Sequence, residues 1–399
     1  MKIYNTKNAC CGCGACASSC LKKCISMRED EEGFLYPEVD TTTCVNCGKC
    51  VKVCPEKKLT VGKNLKENFP TAYVAYVKNT CMRKMSSSGG VFMLIAEKVI
   101  ELGGVVFGAA FSNDFKEVCH IGVEDRKDLF KLQGSKYTQS NIGECYILAK
   151  SFLDKKRIVL FSGTACQIEG LKSFLGRDYQ NLYTIDVLCH GVPSPKLWRK
   201  YVKEKEIEYG ARVRRVNFRN KSSGWNNYSF EMCFENNACL KQMHTQNIYM
   251  DMFLKNICLR PSCYRCIFKN IRRESDFSLG DCWGVENHTP EMFDDLGTSV
   301  IMVHTIKGMG MMQSLENEMF STEKAVDVVL PSDSDSRRSV REHPNRKKFF
   351  KELAEEKDIN QLSKLVRLTF LQKCIRKVRI YVERTSSPFL CFPAKSRQR

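Results

Sequence analysis

Eight cysteines near the N-terminus are spaced for metal chemistry. Cys10, Cys13, Cys16 and Cys20 read C-x2-C-x2-C-x3-C, and Cys44, Cys47, Cys50 and Cys54 repeat those intervals ahead of Pro55. Three thiolates two residues apart wrap one corner of a 4Fe-4S cube, and a fourth must approach from elsewhere in the chain. The second run, about 34 residues on, supplies it. Cys10, Cys13, Cys16 and Cys54 are therefore assigned to one cube, and Cys44, Cys47, Cys50 and Cys20 to the other. Cys11 and Cys24 fall outside the pattern, because a run of 13, 16, 20 and 24 has the wrong intervals. Leu21 stands where the second run has Pro55. Zinc is the competing metal, since four-cysteine sites also use C-x2-C pairs. Such sites usually take two pairs with a longer spacer, not two triplets with trailing singles.

Four more cysteines stand out downstream. Cys166 follows a strand-like run in SGTACQ, Cys189 ends another in DVLCHG, and Cys263 and Cys266 form a C-x2-C in RPSCYRC. Strand ends converge at one rim of an open α/β sheet, where such folds place ligands. A third four-cysteine site and four buried thiols are both open readings. Ser86-Ser87-Ser88-Gly89-Gly90 at a helix start suits a phosphate, because glycines admit close backbone approach and a helix N-terminus offers free N–H groups. A serine-capped helix explains it equally. Gly134-Ser135-Lys136-Tyr137 adds a loop, a cation and an aromatic. Walker and G-x-G-x-x-G fingerprints are absent, as are a Ser-His-Asp set and H-E-x-x-H. His190, beside Cys189, and Lys136 are the catalytic candidates.

The elements that must position these residues change character along the chain. Residues 1–68 form the cysteine-rich unit and end in a polar link. Beyond Pro70, strand and helix patterns alternate: a strand over 71–78, a helix from SSSGG to about Leu102, the strand VVFGAAF, and a helix over 146–153. IVLFSG, the helix QIEGLKSFL and the strand LYTIDVLC follow, with further strands over 213–219 and 228–234. The expected fold is α/β with a mixed sheet, divided into 70–155 and 156–330. Residues 331–399 are expected to be a basic, mostly helical tail. Leu362, Leu365, Val366, Leu368, Thr369 and Leu371 lie at helical spacing among lysines and arginines, suited either to anionic lipid or to packing on the core.

Composition sets the outer limits. The chain has 399 residues, 23 cysteines, and 63 Lys+Arg against 45 Asp+Glu, a formal net charge of +18. With 43% hydrophobic and 27% charged residues it is globular. The cysteines are too sparse, odd in number and bunched for a disulfide scaffold. The start MKIYNTKNACC has no apolar h-region, and no run reaches the roughly 18 apolar residues of a membrane span. The expectation is a soluble, cytoplasmic protein whose cysteines hold metal. Charge alone is no warrant for nucleic-acid binding, and no motif of the usual modules is present. Each cube on four thiolates adds roughly −2, so three would bring the net charge to about +12. That excess suits an acidic electron carrier such as ferredoxin or flavodoxin, or the inner face of an anionic membrane.

The stretches SSSGGVF, LQGSKYTQS, FSGTACQIEGL, DVLCHGVPSP, LRPSCYRCIFK and SDFSLGDCWG resemble the coenzyme F420 hydrogenase/dehydrogenase beta-subunit family, here behind a bacterial-type two-cluster 4Fe-4S ferredoxin domain. The likeness runs to about residue 310. It implies FAD on the α/β domain beside a third 4Fe-4S cluster, with electrons passing between clusters and a substrate. Cys166, Cys189, Cys263 and Cys266 match that cluster's ligands. Ser87, Ser88, Gly89 and Gly90 match the turn near the FAD pyrophosphate, and Gly134, Ser135, Lys136 and Tyr137 a second flavin-side loop. Gly163 and Thr164 join the cofactor-binding set. Ala165 stands where many relatives have proline. The implied activity is an oxidoreductase acting on a small molecule. The substrate is the deazaflavin coenzyme or, because similar chains occur among surface-polysaccharide genes in bacteria, a polysaccharide-biosynthesis intermediate. The alternative is an electron-transfer subunit of a larger redox complex.

Overall fold

The computed structural model describes residues 3–60 and 70–367. Its N-terminal unit repeats itself in backbone as it does in sequence. Helix α1 (Ala15–Ser18) leads to strands β1 (Ile25–Glu29) and β2 (Leu35–Val39), then to helices α2 (Lys49–Lys52) and α3 (Pro55–Thr60). Gly14 (φ 75°, ψ −2°) and Gly48 (φ 71°, ψ 0°) open α1 and α2 from the left-handed region, which glycine adopts without steric penalty. Each turn sets the cysteine before it apart from the cysteine inside the helix. Strands β1 and β2 pair antiparallel from Ile25↔Val39 to Glu29↔Leu35.

The second unit is built on an eight-stranded mixed sheet. In chain order come β3 (Thr71–Val77), α4 (Thr80–Met85), α5 (Val91–Glu101), β4 (Val105–Phe111), β5 (Val118–Val123), α6 (Cys145–Asp154), β6 (Val159–Thr164), α7 (Ala165–Leu175) and β7 (Leu182–Val187). Then follow α8 (Pro195–Tyr209), β8 (Val213–Asn220), β9 (Ser229–Phe234), β10 (Cys239–Met243), α9 (Ile248–Leu254), β11 (Phe277–Asp281), α10 (Val285–His288), β12 (Ser299–Val303), α11 (Ile306–Ser314), β13 (Met319–Lys324) and α12 (Val326–Val329). The large sheet runs β13-β3-β12-β11-β7-β6-β4-β5, and β10-β9-β8 form a separate three-stranded sheet. Strands β4, β6, β7 and β11 are parallel neighbours, so the C-terminal ends of β6 and β7 share one rim. Strand β3 pairs with β12 and β13, so the sheet runs across residues 155 and 156 without a break.

Alternation assigns the two faces of the sheet. Val106, Leu160 and Ile185 pack under α5 and α11. Val105, Phe107, Val159 and Phe161 pack under α6 and α7, and Cys11, Cys13, Ala15 and Val53 of the N-terminal unit join that same core. The cysteine-rich unit is thus seated directly on α7. Among the described residues, no helix is long and apolar enough to cross a membrane.

Of the two settings expected for the basic C-terminal stretch, packing on the core is the one its described part adopts. Helices α13 (Arg346–Ala354) and α14 (Ile359–Lys364) bury Phe349, Phe350, Leu353, Ile359, Leu362 and Val366 in an aromatic core with Trp198, Tyr201 and Phe230. Buried Arg346 also forms a fork on Glu32 of the N-terminal unit at 2.8 and 2.5 Å. Leu368, Thr369 and Leu371 lie outside the described residues. Two cysteines outside the assigned metal sets, Cys233 and Cys239, form a disulfide. These residues face each other directly in the β9–β10 register with Cα atoms 4.1 Å apart, which brings their sulfurs within bonding reach.

Candidate functional site

The two N-terminal foursomes assemble across the duplicated turns. Cys16 is pushed up to about 12 by burial, and charge on Cys10, Cys54 and Cys50 adds to the shift. Cys54 is raised by burial and in part by Cys10, and Cys13 borders Cys16. Cys50 feels Cys47 and Cys20. The structure therefore gathers Cys10, Cys13, Cys16 and Cys54 on one side, and Cys20, Cys47 and Cys50 on the other. The two cysteines outside the spacing pattern are also at the sites. Cys24 places its sulfur 3.3 Å from that of Cys20 and hydrogen-bonds Cys44. Cys11 is buried between Cys13 and Cys166.

The third foursome is delivered by three elements. Thr164 caps α7 and closes a reciprocal capping box with Gln167, which fixes Cys166 in the first turn with its sulfur 3.1 Å from Thr164 Oγ1. Cys189 follows β7. Cys263 and Cys266 lie on and just after the 3-10 turn Pro261–Arg265. Burial pushes Cys189 up to about 12, with Cys166 and Cys266 adding to it. Burial and then Cys189 raise Cys263, and Cys266 is pushed up to about 11 by burial and by Cys166. Half-buried Glu56, itself pushed up to about 7 by desolvation, is felt at Cys10, Cys54, Cys166 and Cys266. It therefore lies between the first and third foursomes.

Thiols must lose their protons to bind iron, and in the first and third foursomes burial and mutual repulsion hold the protons on. A cationic metal centre relieves both, so the donor sets fit iron–sulfur clusters.

The two loops expected on the flavin side meet. Ser135 donates to Ser87 Oγ from its backbone N (2.8 Å) and from Oγ (2.9 Å). Much of the serine–glycine turn is engaged internally. Ser88 Oγ donates to Thr298 O, and Gly89 N donates to Ser299 Oγ. A Cβ on Gly89 would sit 2.5 Å from Ala75 O, and Gly90 (φ 90°) would crowd Val77. Packing against β3 and β12 accounts for both glycines. Gly134 (φ 82°) instead faces open space. Gly163 closes on Gln167 and His120, and the Tyr137 ring stacks on Phe253 at 4.8 Å.

Positive charge remains uncompensated around these loops. Lys136 Nζ donates to Gln133 O (3.0 Å) and Gly134 O (3.2 Å). Lys221 Nζ donates to the carbonyls of Arg83 (2.7 Å), Ser88 (2.9 Å) and Leu296 (2.7 Å). Neither has a carboxylate hydrogen-bond partner among the described residues, and burial pushes each ammonium down to about 7. Arg219 forks onto Asp281 at 3.0 and 3.1 Å and keeps a buried, unpartnered Nε. This donor set fits a phosphate-bearing anion such as the pyrophosphate of a flavin dinucleotide. His190 is held at both ring nitrogens, by Asn256 Oδ1 (2.6 Å) and Asp335 Oδ2 (3.2 Å).

Sequence reasoning missed Lys221, Arg219, Glu56 and buried His120. His120 bonds Ser162 O through Nε2 at 2.9 Å and leaves Nδ1 unpartnered. Isolated charged residues carry no spacing signal, and only the fold shows which are buried.

Two family models match the chain. Residues 156–328 match the family described as the C terminus of the coenzyme F420 hydrogenase/dehydrogenase beta subunit. Residues 9–58 match the 4Fe-4S dicluster domain. No curated protein sequence matches the chain. Among solved structures, a chain from the xenon-derivatised F420-reducing NiFe hydrogenase complex of Methanosarcina barkeri superposes with a TM-score of 0.45 and 16% identity, covering 76% of this chain and 92% of that one. At that score the likeness carries no argument.

Proposed function

We propose that this chain, whose residues 156–328 match the coenzyme F420 hydrogenase/dehydrogenase beta-subunit family and whose residues 9–58 match the 4Fe-4S dicluster domain, is an iron–sulfur flavoprotein oxidoreductase of that family. Electrons from a low-potential, acidic carrier would enter the dicluster domain, reach the Cys166, Cys189, Cys263 and Cys266 site, and leave through FAD to a small-molecule substrate. The deazaflavin coenzyme and a polysaccharide-biosynthesis intermediate are the two substrate classes in view. The observation that carries this reading is the continuity of the cysteine sites. The dicluster domain packs Cys11 and Cys13 into the α7 core beside Cys166. A flavin, when bound, supplies exchange between one-electron and two-electron transfer. The residues do the rest: twelve thiolates hold the irons, Lys136 and Lys221 meet the phosphate charge, and the α6–α7 core excludes water from the path.

The Cys263→Ala variant tests the path. It is expected to lose about four irons and to stop flavin reduction by a low-potential donor, while the dicluster signals persist. Unchanged flavin reduction would contradict the route. A second reading, an electron-transfer subunit with no active site of its own, draws on the internal engagement of Ser88, Gly89 and Gly90. It expects clusters without bound flavin.

A further inference from the structure

Arg260 is fully buried, with 0% of its surface exposed, and no carboxylate lies within ion-pair distance of it among the described residues. Glu56 interacts with it only at longer range; burying a guanidinium without a direct ion-pair partner is strongly unfavourable, so its partners are informative. Nη1 donates to Gln139 Oε1 (3.0 Å), and Nη2 to Leu35 O (3.0 Å). The other two bonds converge on one cluster cysteine: Nε to Cys10 O at 2.9 Å and Nη2 to Cys10 Sγ at 3.7 Å. The Tyr36 ring covers the guanidinium, its centroid 4.2 Å away. Gly12 (φ 70°) admits this approach, because a Cβ there would sit 2.8 Å from Nη1. The second dicluster site is more open, with Cys47 exposed.

Resting on the cluster reading above, we propose that Arg260 is the positioning residue that raises the reduction potential of the site formed by Cys10, Cys13, Cys16 and Cys54. Cluster potentials follow net charge, hydrogen bonds to sulfur and solvent exposure. A fixed cation donating to a ligand sulfur stabilises the added negative charge. The step is uptake of one electron from the donor, with no bond made or broken. No proton moves at Arg260, since a guanidinium stays charged throughout. Electrons entering at the exposed Cys47 side are thereby drawn toward the buried side, next to Cys166.

The test uses the full chain purified anaerobically, as wild type, Arg260→Gln and Arg260→Lys. Iron and sulfide are counted first, and each cluster is then titrated by potentiometric EPR. A Cys47→Ser chain identifies the signal of the other dicluster site. The expected result is a lower midpoint potential for the Cys10 site alone in Arg260→Gln, and a smaller drop in Arg260→Lys. If Arg260→Gln loses iron, a drop confined to the Cys10 site in an iron-replete Arg260→Lys supports the proposal. Unchanged potentials in iron-replete variants would overturn it, as would loss of all clusters in both variants, which marks a purely structural arginine. A wild-type chain without iron fails the cluster reading itself, a result distinguishable before any variant is made.

Discussion

At the scale of single residues, buried and half-buried charges divide into those paired with carboxylates and those that are not. Arg83 and Arg219 are buried but forked onto Asp294 and Asp281, whereas Lys136 and Lys221 have only carbonyl oxygens for partners. Burial lowers both ammonium groups to about 7, so each is part-neutral near neutrality in the free chain. An anionic cofactor favours the protonated form, and its binding is accompanied by proton uptake. Flavin affinity on the proposed reading therefore falls as pH rises above about 7 and levels off below it. A charge-assisted hydrogen bond contributes about 1.5–3 kcal/mol, and Lys136 has two carbonyl partners for its three donors, so Lys136→Met is expected to raise the flavin dissociation constant roughly tenfold or more and to flatten that pH profile. Fluorescence titration of FAD across pH checks it. Equal affinity and an unchanged profile would remove Lys136 from the site.

At the scale of elements, the loops that carry the chemistry are placed by strands whose legibility in sequence varied. Strand β3 and the β6–α7–β7 unit follow apolar runs bounded by glycine or proline, and their ends fell within a few residues of expectation. Strand β13 was not legible, because its MFSTEK sequence lies at the sheet edge with mostly exposed side chains. Strand β11 hides its period behind Ser278 and Gly280, both inside the sheet. The cysteine foursomes were readable because ligand spacing is local. The Arg260–Cys10 bond joins residues 250 apart and has no local signature. Packing also gives the SSSGG turn a role that sequence alone left open. With its would-be Cβ 2.5 Å from Ala75 O, Gly89→Ala is expected to destabilise the chain by about 1–3 kcal/mol, visible as a lowered Tm. An unchanged Tm would show that β3 can yield there, returning the glycine to a ligand role.

At the scale of the molecule, the two units pack against each other directly rather than as a domain and an appendage. The dicluster unit touches the larger domain on three sides: through Cys11 and Cys13 on α7, through Arg260 at Cys10, and through the Glu32–Arg346 fork. Residues from both ends of the sequence thus hold the cysteine sites in register. The central claim is that the proposed electron path carries three clusters and ends at a flavin. It is tested most directly by counting iron, sulfide and flavin in anaerobically purified protein. The account predicts about 12 irons and one FAD per chain. About 8 irons with no flavin would contradict it and leave a two-cluster carrier.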